Sequence, residues 1–224
     1  ADSVAEFSLL CVMMGLRRPQ DLDRQIKAGA WPKDREAPVY EIAGRRVGIL
    51  GMGYVGRRSA RLFQAVGAEV WVFDPYLSAE DAERLGVVKA ELDELLSECP
   101  VISVHLPVTD ETRRMLGPRE LALIQDGAVF VNTARSLVVD QDALLAELQK
   151  GRFWAALDVF DKEPLAEDSP FRSLDNVLLT PHVAGLTMDS YQSLMALAID
   201  EVERFFSDKP LVYSVTREML ATMA

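Results

Sequence analysis

The sequence predicts an α/β fold in which a parallel sheet is doubly wound, with helices on both of its faces. From Arg45 onward, short β-branched runs alternate with segments of helical periodicity, the order expected of repeated βα units. A glycine-rich turn joins the first of these runs to the helical segment that follows it. The 224 residues are 49% apolar and 26% charged, which suits one core of ordinary size.

A helix is predicted at the start of the chain, where Val4, Phe7, Cys11 and Met14 repeat at helical spacing. The positions between them are largely apolar too, so this helix should be covered on more than one side, as it would be at a subunit interface. The stretch 17–46 has no sustained period. It is predicted to be the end of the helix followed by a long connection.

Six strands are predicted after the connection, at Val47–Leu50, Glu69–Phe73, Val101–Val104, Ala128–Asn132, Ala155–Val159 and Val177–Leu179. The helices between them are predicted at Val55–Val66, Ala79–Leu85, Leu92–Ser97, Arg119–Ile124 and Gln141–Lys150. A last helix begins after Thr187, a suitable N-cap, and carries an apolar stripe as far as Phe206. Residues 1–206 should therefore form one domain, and residues 207–224 a tail with no core of its own.

The charge and the cysteines narrow the class of protein. A formal net charge of −11 argues against a nucleic-acid or anionic-membrane surface, although one or two cations would suffice for a small anionic substrate. The most apolar stretch, residues 9–16, is too short to span a bilayer. Cys11 and Cys99 fit neither a metal site nor a disulfide framework. We therefore expect a cytoplasmic protein that has no metal site, nucleic-acid partner or membrane partner.

The turn after the first strand has the pattern G-x-G-x-x-G, formed by Gly51, Gly53 and Gly56. In such a turn the first glycine permits the tight bend, the second lets a pyrophosphate approach the backbone, and the third lets the helix pack on the strand. The amides of Tyr54 and Val55 would then point at the phosphates from the positive end of the helix. A glycine-rich turn without a ligand is the alternative.

The second strand favours the ligand-binding interpretation. It ends at Asp74, eighteen residues after Gly56, where a carboxylate can accept hydrogen bonds from the adenosine ribose hydroxyls. An aspartate at a strand end can also be a turn former or a helix cap. In this register, however, its charge would repel a 2′-phosphate, so NAD is favoured over NADP. NADP is the alternative, because Arg57 and Arg58 in the preceding predicted helix could hold the extra phosphate. The combination is typical of a Rossmann-type dinucleotide-binding domain.

Three polar residues follow later strands of the predicted sheet, namely Arg135, Glu163 and His182. Taken singly, they could be a surface charge, a loop residue and a structural histidine. Because the carboxyl ends of parallel strands share one edge of the sheet, they are expected to lie together there. That combination favours a catalytic group.

These segments resemble the D-isomer-specific 2-hydroxyacid dehydrogenases along the whole chain. The motifs in order are SVAEF, GMGYVG, HLPVT, NTAR, LDVFDKEP and TPHVAGLT. The resemblance implies hydride transfer between nicotinamide and C2 of a small acid. It makes His182 the proton donor, with Glu163 as the partner that favours its protonated form. Arg135 would bind the carboxylate of the 2-oxo acid and polarise its carbonyl.

The resemblance also implies how the nicotinamide end of the cofactor is held. Asp158 would hold the carboxamide, and Thr133 and Ala134 would line the pocket, beside Arg135 and His182. The cofactor-lining loop would contain His105, Pro107 and Thr112. For His105, packing beside the cofactor is favoured over a direct catalytic role.

Two departures from the family pattern limit what the resemblance implies. Ser136 stands where the family usually has glycine, so the substrate preference is less defined than the reaction. The family also carries, before the first helix, most of a second domain that closes over the substrate. We therefore expect this chain to be mainly the cofactor-binding half, with weak or no turnover alone, and the tail to be a remnant of the substrate domain.

Two other functions are compatible with the same fold. One is a non-enzymatic NAD(H) sensor, and the other is a dimerisation module whose functional surface is the first helix. The presence of Arg135, Glu163 and His182 together favours the enzyme, because a sensor has less need of a proton donor. A homodimer through the first helix is expected in each case, since the family dimerises there.

Overall fold

A computed structural model describes residues 1–33, 38–217 and 219. The remaining residues, 34–37 of the predicted connection and 218 and 220–224 of the predicted tail, lie outside the described part.

The fold has a single parallel sheet with helices on both faces, as the sequence predicted. Its strands are β1 (Arg46–Leu50), β2 (Glu69–Phe73), β3 (Val88–Lys89), β4 (Val101–Val104), β5 (Val129–Asn132), β6 (Trp154–Leu157) and β7 (Val177–Leu179). They lie in the order β3-β2-β1-β4-β5-β6-β7, and every neighbouring pair is parallel. The order changes direction at β1, which creates a crevice beyond its carboxyl end.

The helices are α1 (Asp2–Arg17), α2 (Pro19–Lys27), α3 (Tyr54–Ala65), α4 (Ala79–Leu85), α5 (Leu92–Glu98), α6 (Pro118–Leu123), α7 (Gln141–Gln149) and α8 (Met188–Phe206). Short 3₁₀ turns occur at Ser136–Val138 and Pro170–Ser173. None of the helices in the described ranges combines the length and apolar character needed to cross a bilayer.

The strands separate two apolar cores, one on each face of the sheet. In β5, Phe130 faces one core, whereas Val129 and Val131 face the other. Leu95 of α5 belongs to the first core, and Phe63 of α3 belongs to the second. This alternation along a buried strand is the two-sided burial expected of a parallel sheet covered by helices.

Helix α1 packs closely on the sheet. A Cβ added at Gly15 would lie 2.5 Å from Cε3 of Trp154 in β6 and 2.6 Å from Cγ1 of Val129 in β5, so only glycine allows this approach. Cys11 and Val12 are buried in the same contact. The opposite side of α1 is open, with Leu10 51% exposed.

The prediction of a long connection after α1 was wrong for Pro19–Lys27, which form α2. Arg18 ends α1 in the left-handed conformation at φ 52°, and Pro19 starts α2 at the position that proline favours. No residue of α2 is buried, and besides Pro19 only Leu22 and Ile26 of the helix are apolar, which is too few to reveal it as a packed helix. The two-residue strand β3 was also not predicted, because both of its residues are exposed.

The last helix begins where the sequence predicted. Thr187 caps α8, its hydroxyl accepting a hydrogen bond from the amide of Ser190 at 3.0 Å. None of the residues of α8 is buried within this chain. Its apolar stripe therefore lies on the surface, with Leu194 64% and Phe205 65% exposed.

Strand register aligns the residues that follow the strands. Leu50, Val104, Asn132, Leu157 and Leu179 are successive partners across the sheet, each at the end of its strand. The loops after β1, β4, β5, β6 and β7 therefore leave the sheet along one edge.

Candidate functional site

The glycine turn after β1 has the geometry of a phosphate-binding turn. Gly51 has a φ of 95°, and a Cβ added to it would lie 2.9 Å from the carbonyl oxygen of His105. A Cβ at Gly56 would lie 2.0 Å from the carbonyl oxygen of Gly51, so both positions require glycine. Around Gly53, in contrast, no atom of the described residues, apart from its two chain neighbours, lies within 4 Å of an added Cβ. Because Tyr54 and Val55 form the first turn of α3, open space faces a helix N-terminus there.

Asp74 lies beside this turn and holds it in shape. Its Oδ2 accepts a hydrogen bond from the amide of Met52 at 2.6 Å, and its Oδ1 accepts one from the amide of Tyr76 at 2.8 Å. The carboxylate thus ties the end of β2 to the glycine turn. Of the two nearby arginines, Arg57 lines the same cavity. Arg58 instead forms an ion pair with Asp2 of α1.

The cavity beside the glycine turn collects six of the residues predicted to bind the cofactor. It is lined by Gly51, Gly53, Asp74, His105, Pro107 and Thr112, among others. Thr112 closes the loop after β4, since its hydroxyl donates to the carbonyl of Pro107 at 2.6 Å. Tyr54, predicted for its amide, exposes 81% of its surface.

His105 is a buried, neutral imidazole in the wall of this cavity. Its Nε2 lies 2.9 Å from the hydroxyl of Ser103, and its Nδ1 is a buried atom without a partner in the described part of the chain. Burial lowers the pKa of His105 to about 4, so the ring carries no charge at pH 7. A neutral ring in the cavity wall suits packing beside a ligand better than proton donation.

The three candidate catalytic residues come together at the same edge of the sheet. Nδ1 of His182 lies 2.8 Å from Oε2 of Glu163, and Oε1 of Glu163 accepts a hydrogen bond from the amide of Phe160 at 3.0 Å. Burial by itself raises the pKa of Glu163, but these hydrogen bonds and the charge of Arg135 outweigh it. The pKa therefore lies below its usual range. The side chains of His182 and Glu163 remain 47% and 38% exposed.

Asn132 shapes the loop that carries Arg135. Its Nδ2 donates to the carbonyl of Arg135 at 3.0 Å, and its Oδ1 accepts from the amide of Ala134 at 3.1 Å. The guanidinium of Arg135 is exposed, and its Nη1 donates to the carbonyl of Ala134 at 2.7 Å. No sequence signal indicated this role of Asn132, because an asparagine at a strand end has many other uses. Ala134, predicted to line a pocket, packs against the apolar core.

Asp158, at the end of β6, anchors the loop that carries His182. The side chain is 1% exposed. Its Oδ1 accepts hydrogen bonds from the hydroxyl of Thr180 at 2.5 Å and from the amide of Val183 at 3.0 Å, while Oδ2 accepts from the amide of Ala184 at 2.9 Å. His182, inside this loop, has a left-handed φ of 56°. This anchoring role was not predicted from the sequence, which indicated a cofactor contact for Asp158.

A second cavity at this edge contains four more of the predicted residues, whereas Glu163 lines a separate cavity with Phe160 and Pro181. The second cavity is lined by Val4 of α1, Thr133, Arg135, Asp158, His182, Ala184, Gly185 and Leu186. The guanidinium of Arg135 and the imidazole of His182 thus share one cavity with the buried carboxylate of Asp158 and the buried hydroxyl of Thr133. No group of three or more His, Cys, Asp or Glu side chains within the described residues could hold a metal ion.

Comparison with known proteins agrees with this geometry. Residues 9–184 match the family model described as D-isomer specific 2-hydroxyacid dehydrogenase, NAD binding domain. The chain is 33% identical over 210 residues to the D-3-phosphoglycerate dehydrogenase of Archaeoglobus fulgidus, a match that covers 93% of this chain and 40% of that protein. It is 34% identical over 228 residues to the glyoxylate reductase of Aeropyrum pernix, covering 98% and 68% respectively.

Comparison with a solved structure shows that the fold is shared as well as the sequence. The D-lactate dehydrogenase of Aquifex aeolicus, crystallised with NAD and lactic acid, superimposes with a TM-score of 0.84 at 31% identity. The match covers 96% of this chain and 71% of that one. The chain spans only 40% of the length of the phosphoglycerate dehydrogenase and 68% of that of the glyoxylate reductase.

Replacing Asp158 with asparagine tests its anchoring role. An amide offers only one acceptor oxygen, so the new side chain would turn an NH₂ group towards the backbone amide of Val183 or Ala184 and leave that amide unpaired. We expect the free energy of unfolding to fall by about 1–3 kcal/mol. Deuterium exchange at residues 183 and 184 should accelerate. Asp161→Asn, an exposed change three residues further along the same loop after β6, is the control, and equal effects of both variants would contradict the role.

Proposed function

This chain belongs to the D-isomer-specific 2-hydroxyacid dehydrogenase family, and we propose that it binds NAD(H). We propose further that it carries the residues for hydride transfer between nicotinamide and a small 2-hydroxy or 2-oxo acid, and for the proton transfer that accompanies it. The observation that carries the proposal is the 2.8 Å contact between His182 and Glu163, on the same sheet edge as the glycine turn. A dinucleotide site alone would not need this pair.

The residues around the glycine turn fit a dinucleotide. The open space at Gly53 would admit the pyrophosphate to the N-terminus of α3, where the amides of Tyr54 and Val55 lie. The carboxylate of Asp74 has lone pairs left after its two backbone contacts, which suits the adenosine ribose hydroxyls. When bound, the reduced nicotinamide would supply the hydride.

His182 is suited to move the proton. Its Nδ1 faces Glu163, which leaves Nε2 as the nitrogen that can give a proton to the oxygen on C2 of the 2-oxo acid. The carboxylate of Glu163 stabilises the imidazolium before the transfer. In the reverse direction, the neutral imidazole takes the hydroxyl proton of the 2-hydroxy acid. Reduction of the 2-oxo acid therefore adds one proton for each hydride, and oxidation of the 2-hydroxy acid removes one proton for each hydride.

Arg135 is suited to hold the substrate. Its exposed guanidinium lies in the same cavity as His182, and a planar guanidinium can bind a carboxylate through two parallel hydrogen bonds. This contact would place the 2-oxo group between the imidazole and the nicotinamide. The substrate class is therefore a small acid with a carboxylate on C1 and oxygen on C2.

We further propose that residues 1–206 act as the cofactor-binding half of a longer catalytic unit, with residues 207–224 leading back to a substrate domain. The lengths of the relatives support this, because the chain spans only 40 to 68% of them. The exposed apolar stripe of α8 also supports it. These 224 residues alone should accordingly show weak reduction of 2-oxo acids such as glyoxylate or pyruvate. Robust steady-state reduction would contradict this division.

The preference for NADH over NADPH tests the role of Asp74. We expect calorimetry to show binding of NADH that is about tenfold tighter or more, since a carboxylate at this site repels a 2′-phosphate. Asp74→Asn removes the charge and should narrow the difference by about an order of magnitude. The control is Glu80→Gln, the same charge change at an exposed position outside the cavity. Equal affinity of the unaltered chain for both cofactors would refute the assignment.

His182→Ala tests the proton transfer. In the complete protein we expect turnover to fall by orders of magnitude, because the proton donor is gone. The dissociation constant for NADH should stay within about twofold, since the imidazole contributes little to dinucleotide affinity. Lys162→Ala is the exposed control. Parallel losses of affinity and turnover would identify a structural histidine, and unchanged turnover would show that another group donates the proton. Absence of turnover in the unaltered complete protein, with NADH binding retained, would favour a non-enzymatic NAD(H)-binding module.

We also propose a homodimer formed through the outward side of α1 and the segment after it. Three apolar side chains are exposed there, Leu10 at 51%, Ile26 at 48% and Trp31 at 75%. Light scattering should give about twice the chain mass of 24.9 kDa. Leu10→Glu should shift the equilibrium to monomer, whereas Val66→Glu, at an exposed position after α3, should not. A monomeric mass at high concentration would disprove the dimer.

A further inference from the structure

A chain of hydrogen bonds links α1 to the cavity that contains Arg135 and His182. The hydroxyl of Ser8 donates to the carbonyl of Val4 at 2.8 Å. The hydroxyl oxygen of Ser8 also lies 2.8 Å from the hydroxyl oxygen of Thr133, the residue that follows β5. Ser8 is fully buried, and Thr133, which lines the cavity, is 5% exposed. Because water has little access to either group, the direction of each hydrogen bond depends on the protein itself.

The number of hydrogens determines that direction. A hydroxyl carries one hydrogen, and a carbonyl can only accept. Both contacts of Ser8 therefore form together only when Ser8 donates to Val4 and Thr133 donates to Ser8. In that arrangement the single hydrogen of Thr133 is already used. Towards a ligand in the cavity, the hydroxyl of Thr133 has only lone pairs to offer.

Asp158 lines the same cavity and adds acceptors. Its ionised carboxylate has no hydrogen to donate, and it accepts from Thr180, Val183 and Ala184 with lone-pair capacity left on Oδ2. The wall formed by Thr133 and Asp158 is therefore composed of acceptors. A group with two N–H donors, such as a primary amide, fits this wall. A carboxylate or a methyl ketone would face it without a donor, and would leave buried groups unpaired.

We propose that Ser8 is a positioning residue for cofactor selection. By fixing the direction of the Thr133 hydroxyl, it makes the cavity prefer a pyridine ring with a carboxamide over one with a carboxylate or a methyl ketone. The inference rests on the proposed function, since it takes the nicotinamide ring as the ligand of this cavity. It assigns to α1 a part in cofactor recognition made through Thr133 and not by direct contact.

Dissociation constants measured by calorimetry test this without turnover. The probes are NADH, the reduced 3-acetylpyridine analogue, which has a methyl ketone in place of the amide, and ADP-ribose, which lacks the ring. The unaltered chain should favour NADH over the acetylpyridine analogue. In Ser8→Ala, the hydroxyl of Thr133 is free to turn and donate, so this preference should fall about three- to tenfold. ADP-ribose should bind as before.

A matched control comes from the same helix. Ser3 lies 3.2 Å from the hydroxyl of Thr187, away from Thr133, so Ser3→Ala should keep the full preference for NADH. Thr133→Val is a second variant that removes the acceptor itself. It should weaken NADH severalfold and leave the acetylpyridine analogue and ADP-ribose nearly unchanged. If Ser8→Ala fails to fold, the proposal stands or falls on this variant.

The outcomes separate this inference from the proposed function. An unaltered preference in Ser8→Ala, or a parallel loss of ADP-ribose binding, would overturn the role of Ser8 while NADH binding by the unaltered chain is retained. Equal binding of NADH and the acetylpyridine analogue by the unaltered chain would show that Thr133 donates into the cavity, and would also overturn it. Absence of binding of both NADH and ADP-ribose would overturn the proposed function, and this inference with it.

Discussion

The hydrogen bonds accepted by the buried carboxylate of Asp158 determine the geometry of the candidate site. A charge that is 1% exposed is costly unless it is fully hydrogen-bonded, and here the donors are a hydroxyl and two backbone amides of the loop after β7. The loop is therefore held on both sides of His182. This constraint maintains the left-handed backbone of His182, which costs about 1 kcal/mol or more in a residue other than glycine. The approach of its imidazole to Glu163 follows from that backbone.

Asn132, at the end of the neighbouring strand β5, holds its loop in a similar way with two hydrogen bonds. Asn132 ends β5 next to Leu157 of β6, and its amide group closes the loop that presents Arg135. In both loops, a polar side chain at the end of a buried strand accepts from backbone amides that no strand can satisfy. The rigid sheet thereby fixes the positions of residues that lie outside it. The arrangement explains how exposed loops can hold three interacting side chains in register.

The elements of the sheet could be predicted because their signals are local. Short, largely apolar runs between turns and helical segments predicted the bounds of β2, β4 and β7 to the residue. Helix α2 has no such signal, since none of its residues is buried, and it is supported by Pro19 and by ion pairs such as Lys27 with Asp23. The candidate catalytic residues were predictable as polar residues that follow strands. The contact of Ser8 with Thr133 joins positions 125 apart in the sequence, and no local pattern reveals it.

Burial divides the site into two sets of polar groups with different tasks. Asp158, Thr133 and Ser8 are buried, and their hydrogen bonds are fixed by the fold. The side chains of His182 and Glu163 are 47% and 38% exposed, and a polar contact this open to water contributes little to stability. Folding therefore does not explain why these two side chains meet at 2.8 Å. The proposed proton transfer would explain it, because a donor must exchange its proton with a ligand that binds and leaves, whereas the groups that orient the donor must not move.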